Sequence, residues 1–177
     1  MATPRRLLII DANVLIDFAL VDVSILALVA KHLGEIRVPL PLLEEVEQLD
    51  ESLCEQLGLK IVDPSLELLS QAASARGKLS FEDHLCLLLA KASGLTCVTD
   101  DRALRKACVD EEVPTLWGLE LMIGLVEGDH LTVEAAASVA HAISGVNPLH
   151  ITAEIVAKFE ERIRAISARG GPSAGES

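Results

Sequence analysis

The amino-acid sequence predicts an α/β domain with a mostly parallel sheet of about five short strands. Short apolar runs alternate along the chain with longer segments that have the apolar period of helices. Half of the 177 residues are apolar but only 2% are aromatic. The core is therefore expected to be aliphatic, which suits helices packed on a parallel sheet.

Strands and helices are expected in regular alternation. The predicted strands are "LLII" (7–10), "IRVPLP" (36–41), "LKIVD" (59–63), "GLTCVT" (94–99) and "VPTL" (113–116). The predicted helices cover most of 14–32, then 41–56, 66–75, 81–92 and 101–109, with Pro41 opening the second of them and Gly34 following the first.

The remainder of the chain, from Trp117 onward, is predicted to be helical. Helices are expected over 118–127, 133–144 and 153–167, with Thr132 and Thr152 as N-caps. We divide the chain into a domain over 1–135, a helical extension over 136–168 packed on it, and a disordered tail, "RGGPSAGES" (169–177).

Charge and cysteine content narrow the functional classes. A net charge of −12 argues against broad, charge-driven binding of nucleic acid, but it leaves room for a local basic strip. The four cysteines (Cys54, Cys86, Cys97 and Cys108) have no metal-ligand spacing and are expected to be core residues in a reducing compartment. Without a signal peptide or a membrane-length apolar run, the protein is expected to be soluble and cytoplasmic.

Acidic residues follow two of the predicted strands. Asp11 ends the first strand, and Asp100 and Asp101 follow the fourth. Ligands bind parallel α/β sheets beyond the carboxyl ends of the strands, so these acids mark a candidate site. For Asp100 and Asp101, N-capping of the next helix is an equally good explanation.

Two further acids are expected to approach from helices. In the helix predicted from Pro41, Glu45 falls on the flank of the apolar stripe formed by Leu42, Val46 and Leu49, whereas Glu44 points into solvent.

Asp83 lies in the first turn of the 81–92 helix and shares a face with Cys86 and Leu87, although Ser80 and Asp83 also resemble a capping box. Converging carboxylates repel one another unless a cation neutralises them. Oxygen ligands suit Mg²⁺ or Mn²⁺, which activate water and assist phosphodiester hydrolysis.

The motifs resemble those of PIN-domain nucleases. They are "LLIIDANVLI", "VPLPLLEEV", "LSFEDHLCLLLAKASGLTCVTDDRALRKAC" and "VPTLWGLELMIGLVEGDHLT", and they cover roughly residues 5–135. They look closest to the toxin ribonucleases of prokaryotic toxin–antitoxin pairs. The resemblance implies a three-layer α/β/α fold and a Mg²⁺- or Mn²⁺-dependent endoribonuclease, with RNA as substrate, a small antitoxin as partner and a homodimeric assembly.

The resemblance also implies roles for individual residues. The catalytic and metal-binding acids would be Asp11, Glu45, Asp83 and Asp101, with Asp100 sharing or taking the last role and with Asn13 and Thr99 in support. Lys78, Arg102, Arg105 and Lys106 are candidates for binding RNA phosphates, or else belong to exposed surface. A catalytically degenerate binding module and an RNA-processing protein without an antitoxin remain as alternatives.

The last predicted helix carries an apolar stripe of Ile155, Val156, Phe159, Ile163 and Ile166. It either packs on the core of its own chain or forms an interface with a second copy or an antitoxin helix.

Overall fold

The computed structural model describes residues 5–170 and is an α/β fold around a five-stranded parallel sheet. The strands are β1 (Arg6–Ile10), β2 (Gly34–Pro39), β3 (Lys60–Val62), β4 (Thr96–Val98) and β5 (Thr115–Leu116). They stand in the order β3-β2-β1-β4-β5, and all four pairings are parallel. The strand order reverses at β1, so the carboxyl ends of β1 and β4 frame the crevice where such sheets bind ligands.

Ten helices accompany the sheet within residues 5–170. They are α1 (Ala12–Val21), α2 (Ser24–His32), α3 (Leu40–Glu44), α4 (Glu51–Leu57), α5 (Leu66–Ser74), α6 (Phe81–Ser93), α7 (Arg102–Asp110), α8 (Gly118–Glu127), α9 (Val133–Val146) and α10 (Ala153–Arg169). Helix α2 packs against β2, and α6 packs against β1 and β4. Successive residues of β1, from Leu8 to Ile10, are all buried. Since neighbours in a strand point to opposite faces, both faces of the sheet are covered, consistent with a three-layer α/β/α arrangement.

The helix predicted over 41–56 is wrong as one element. Helix α3 ends at Glu44 and α4 begins only at Glu51. The side chains of Val46 and Leu49 are buried between them, and Asp50 starts the new helix by accepting a 2.7 Å hydrogen bond from the Leu53 N–H. Val46 and Leu49 therefore have the apolar spacing of a helix although they lie in a buried turn between two helices.

The helix predicted over most of 14–32 is two helices, α1 and α2, bent by 118°. The break lies at Asp22, whose Oδ1 accepts a 3.1 Å hydrogen bond from the Ser24 N–H. Aspartate side chains compete with helical hydrogen bonding in this way. Within residues 5–170, no single helix has both the length and the apolar character to cross a membrane, although the bent pair passes that test when counted together.

The C-terminal helices belong to the same core as the sheet. Helix α9 packs against α1 and α8, and α10 packs against α8 and α9. The N-cap predictions for Thr132 and Thr152 are confirmed, since their hydroxyls accept hydrogen bonds from the N–H groups of Ala135 and Ile155 at 3.2 and 3.3 Å. The boundary drawn between residues 135 and 136 falls inside α9.

Helix α10 agrees with some of the predictions for the C-terminal part of the chain and contradicts others. Val156, Phe159 and Ile163 are buried, so that part of the apolar stripe packs on the core of its own chain, whereas Ile155 is 39% exposed. Helix α10 continues to Arg169, which therefore does not belong to a disordered tail. The rest of that predicted tail, from 171 to 177, lies outside the described residues. All four cysteines are buried and free, as expected for core residues.

Candidate active site

Asp11 lies at the carboxyl end of the central strand, with only 2% of its surface exposed. Its Oδ1 accepts a 2.9 Å hydrogen bond from the Val14 N–H, which caps α1, and its Oδ2 accepts one from the Thr99 hydroxyl. Burial raises the pKa of Asp11 from 3.8 to about 7; the two hydrogen bonds oppose this rise, and the charges of Asp100 and Asp83 add to it. Asp11 is therefore a costly anion at neutral pH, and a nearby cation would stabilise it.

Thr99 connects the ends of β1 and β4. It is fully buried at the end of β4, and its hydroxyl donates to Asp11 while accepting a 3.0 Å hydrogen bond from the Asp101 N–H. One hydroxyl thus holds both the Asp11 carboxylate and the start of α7. The supporting role of Thr99 in catalysis stays a prediction.

Asp100 and Asp101 use their carboxylates in different places. Asp101 is the N-cap of α7 and accepts a 2.8 Å hydrogen bond from the Leu104 N–H. The Oδ1 of Asp100 accepts a 2.9 Å hydrogen bond from the N–H of Gly118, the first residue of α8. Burial raises the pKa of Asp100, which the bond from Gly118 opposes. The capping interpretation is correct for Asp101, and Asp100 satisfies an N-terminal amide of a different helix.

Asp83 faces the same region from α6. Ser80 is the N-cap of this helix, accepting a 3.1 Å hydrogen bond from the Asp83 N–H, as the capping interpretation expected. The Asp83 carboxyl is half-buried, and burial raises its pKa. Hydrogen bonds with Ser80 oppose this rise, and the charges of Asp101 and Glu82 add to it. Asp83 also contributes to the raised pKa of Asp11. We call Asp11, Asp83, Asp100 and Asp101 the acid cluster, because their charges act on one another.

Glu45 stands apart from this cluster. It is the C-cap of the short helix α3, and its side chain is exposed, as is that of Glu44. The prediction that helix phase turns Glu45 inward is wrong, because the helix ends before Glu45, whereas the predicted exposure of Glu44 is confirmed. The charge of Glu45 is also not among the main causes of the raised pKa values of Asp11, Asp83 and Asp100.

The side chains of the acid cluster are of the type that binds a divalent cation, but their positions in this structure do not form a binding site for one. Its donors are all carboxylate oxygens, the type that Mg²⁺ and Mn²⁺ prefer, and their mutual repulsion favours a counter-charge. Yet within residues 5–170 no three His, Cys, Asp or Glu side chains are placed to hold one ion. Both Asp11 oxygens already accept hydrogen bonds from the protein.

Sequence reasoning missed a fifth acid, Asp17. It is 6% exposed on α1, and its Oδ2 accepts a 2.9 Å hydrogen bond from the side chain of Asn147 at the end of α9. Burial raises its pKa, the Asp100 charge adds to the rise and His150 lowers it. Asp17 is the only charged residue in α1, a signal the sequence offered. It ties the acid cluster to the turn between α9 and α10.

The predicted phosphate-binding residues divide into two groups. Arg102 is exposed at the start of α7, and the Arg105 guanidinium lies over the Trp117 ring, 3.8 Å from its centroid. Lys106 instead forms an exposed 2.8 Å ion pair with Asp110.

Other predicted residues lie away from these contacts. Lys78 lies in the exposed segment before α6, and Asn13 is exposed in the first turn of α1. Trp117, which directly precedes α8, is 38% exposed.

Comparison with known proteins adds no assignment. No protein-family model, curated protein or solved structure matches this chain.

Proposed function

We propose that this protein is a Mg²⁺- or Mn²⁺-dependent endoribonuclease of the PIN-domain type, with the acid cluster as its active site. One observation carries the proposal: Asp11 is buried at the end of the central strand, with a pKa raised to about 7, near the charges of Asp83 and Asp100. A purely structural N-cap gains nothing from this burial, because exposed carboxylates cap helices equally well.

The position of the cluster supports the same function. It lies at the carboxyl ends of β1 and β4, where the strand order reverses. Parallel sheets bind their ligands at this edge. The motif resemblance supplies the finer interpretation, a PIN-type three-layer fold with these acids as the site.

Asp11, Asp83 and Asp101 would hold the ion, with Asp100 nearby. Glu45 would join them only on the evidence of the motif resemblance. When bound, a divalent ion lowers the pKa of water and stabilises negative charge that develops at phosphorus. Thr99 holds the Asp11 carboxylate and the Asp101 backbone in place, because its hydroxyl bonds to both. Arg102 offers an exposed cation next to Asp101 for a substrate phosphate.

The toxin role, the small antitoxin and the homodimer are proposals that depend on the motif resemblance. They predict a short open reading frame beside this gene and a complex of the two products on co-expression. An isolated gene whose product stays monomeric when expressed would favour an RNA-processing enzyme instead.

A second candidate is an RNA-binding module without catalysis. The observation that favours it is the absence, within residues 5–170, of three acidic side chains placed around one ion. The two candidates differ in a single measurable property, which is metal-dependent cleavage.

The deciding experiment is cleavage of a mixed RNA substrate with Mg²⁺, with Mn²⁺ and with excess chelator. We expect cleavage only with a divalent ion, and its loss in Asp11→Asn, which removes the charge and keeps the shape. Glu44→Gln is the matched control, since it removes an exposed acid and should cleave normally. Cleavage that survives chelation excludes the metal mechanism, and no cleavage in any condition favours the binding module.

A further inference from the structure

Two adjoining grooves open beside the acid cluster, between the start of α7, the start of α8 and α10. One has a volume of about 320 Å³ and the other of about 680 Å³. They share six lining residues: Asp100, Arg102, Trp117, His150, Ile155 and Lys158. The larger groove also passes Asp101. We call the pair the α10 groove.

The lining of the α10 groove contains both cations and acids: Arg102, Lys158 and Arg162, with Asp100, Asp101, Glu120 and Glu154. Within residues 5–170, Arg102 enters no ion pair. Lys158 is paired at 2.9 Å with Glu154, but both side chains are more than 70% exposed, and such exposed pairs are weak and easily exchanged for a phosphate. On the same side of α10, Arg162 reaches Glu120 at 3.4 Å. Of the lining acids, Glu154 and Glu120 are the partners of Lys158 and Arg162. The other two, Asp100 and Asp101, belong to the proposed active site.

Trp117 provides an aromatic surface between these cations. It lines both parts of the groove and is 38% exposed, with the Arg105 guanidinium 3.8 Å from its ring centroid. The Nη1 atom of Arg105 is buried and has no hydrogen-bond partner within residues 5–170. Exposed aromatic rings next to basic side chains are typical surfaces for stacking the bases of single-stranded nucleic acids.

We propose that the α10 groove binds the single-stranded RNA that flanks the scissile phosphate. A base stacks on Trp117, and neighbouring phosphates contact Arg102 and Lys158. The strand is unpaired, because only unpaired bases present their faces to an aromatic side chain. This assignment rests on the proposed function and gives α10, which lies beyond the nuclease-like motifs, a direct part in holding substrate.

The chain offers a built-in probe for this contact. Trp117 is the only tryptophan and there is no tyrosine, so the intrinsic fluorescence of the protein reports on Trp117 alone. We expect a short single-stranded RNA, titrated in excess chelator to prevent cleavage, to quench this fluorescence. A duplex of the same length should quench it much less.

Two charge variants on α10 test the phosphate contact. Lys158 and Arg164 are similarly exposed and each is paired with a glutamate one turn earlier, but only Lys158 lines the groove. Lys158→Gln should weaken RNA binding severalfold and lower the salt-dependence slope by about 0.7, whereas Arg164→Gln should bind like the unmodified protein. In an anisotropy assay with labelled RNA, Trp117→Ala should lose about fivefold to a hundredfold in affinity and Trp117→Phe should retain most of it.

Parallel cleavage assays separate this proposal from the proposed function. Metal-dependent cleavage without quenching, or equal effects of Lys158→Gln and Arg164→Gln, overturns the groove assignment and leaves the nuclease standing. Quenching that depends on Lys158 but comes without cleavage supports the groove and removes the nuclease assignment. Fluorescence that changes with protein concentration and not with RNA assigns the groove to a second copy of the chain and overturns the proposal.

Discussion

Within residues 5–170, Asp11 is the most deeply buried of the acidic residues. It is buried, both of its oxygens accept hydrogen bonds, and other acids surround it. These hydrogen bonds lower its pKa, but burial outweighs them, which is why the net shift is upward. The residue is therefore a source of instability in the metal-free protein.

The pH dependence of stability follows from this shift. A carboxyl with a folded pKa of about 7 and an ordinary pKa of 3.8 keeps its proton in the folded protein after the unfolded chain has lost it. Stability of the metal-free protein should therefore fall between about pH 4 and pH 7, by on the order of 4 kcal/mol from Asp11, and change little above that window. Burial raises the pKa values of Asp17, Asp83 and Asp100 in the same direction.

Urea unfolding at several pH values in chelator measures this dependence. Asp11→Asn should make this dependence shallower, because the substituted side chain does not titrate while Asp17, Asp83 and Asp100 still do. The variant should stay folded at pH 8. If the free energy of unfolding instead rises from pH 4 to pH 7, the pKa of Asp11 is not raised by burial.

Glycine is required at position 118 because two neighbouring side chains lie where a Cβ atom would stand. A Cβ there would lie 2.9 Å from Asp100 Oδ2 and 3.1 Å from Val14 Cγ1. Gly118→Ala should destabilise the protein by about 1–3 kcal/mol. Gly145→Ala in α9 is the control: nothing lies within 4 Å of the place that its Cβ would occupy, so the alanine should be neutral or stabilise by up to about 1 kcal/mol. Thermal unfolding of both variants decides the matter, and equal effects would contradict the packing of Asp100 against Gly118.

Among the elements, α3 carries the largest disagreement between expectation and structure. The inward position of Glu45 was predicted from a continuous helix over 41–56, but α3 is only five residues long and ends at Glu44. The role of Glu45 now depends on the motif resemblance alone.

Glu45→Gln and Glu44→Gln provide the test of that role. If Glu45 joins the metal site, its variant should lose at least tenfold in cleavage rate while Glu44→Gln stays near the unmodified rate. Both side chains are exposed, so neither substitution should disturb the fold. A loss of cleavage in Glu45→Gln alone would therefore come from the loss of a charged metal ligand. Cleavage rates under identical Mg²⁺ concentrations measure this, and equal rates for the two variants would remove Glu45 from the site.

For the whole molecule, the acid cluster predicts stabilisation by metal. Mg²⁺ that binds only the folded state stabilises it by about 2.7 kcal/mol at a hundredfold excess over its Kd. This corresponds to a rise in Tm of about 5–10 °C for a chain of this size. The rise should be smaller at pH 5 than at pH 8, because protons compete with the ion for Asp11.

Thermal unfolding with Mg²⁺ is compared with NaCl at equal ionic strength to separate binding from screening. Asp11→Asn should lose most of the gain. An equal rise with NaCl, or an unchanged gain in the variant, would place the ion elsewhere on this acidic protein.

Local features of this protein were predictable from the sequence because they depend on residues close together in the chain. The parallel strands follow from short apolar runs, and the caps at Ser80, Asp101, Thr132 and Thr152 follow from hydrogen bonds that span three residues. The same reasoning placed Asp11 and Asp101 at the ends of two strands, on the same edge of the sheet.

Features that depend on distant parts of the chain were decided only by tertiary packing. The break after Glu44, the burial of Asp17 against Asn147, and the groove between Trp117 and α10 all require contacts between segments that the sequence does not bring together. Periodicity records which residues are apolar but not which surface they meet. For this reason the sequence could not show that α10, which packs against α8, lines the α10 groove beside the acid cluster.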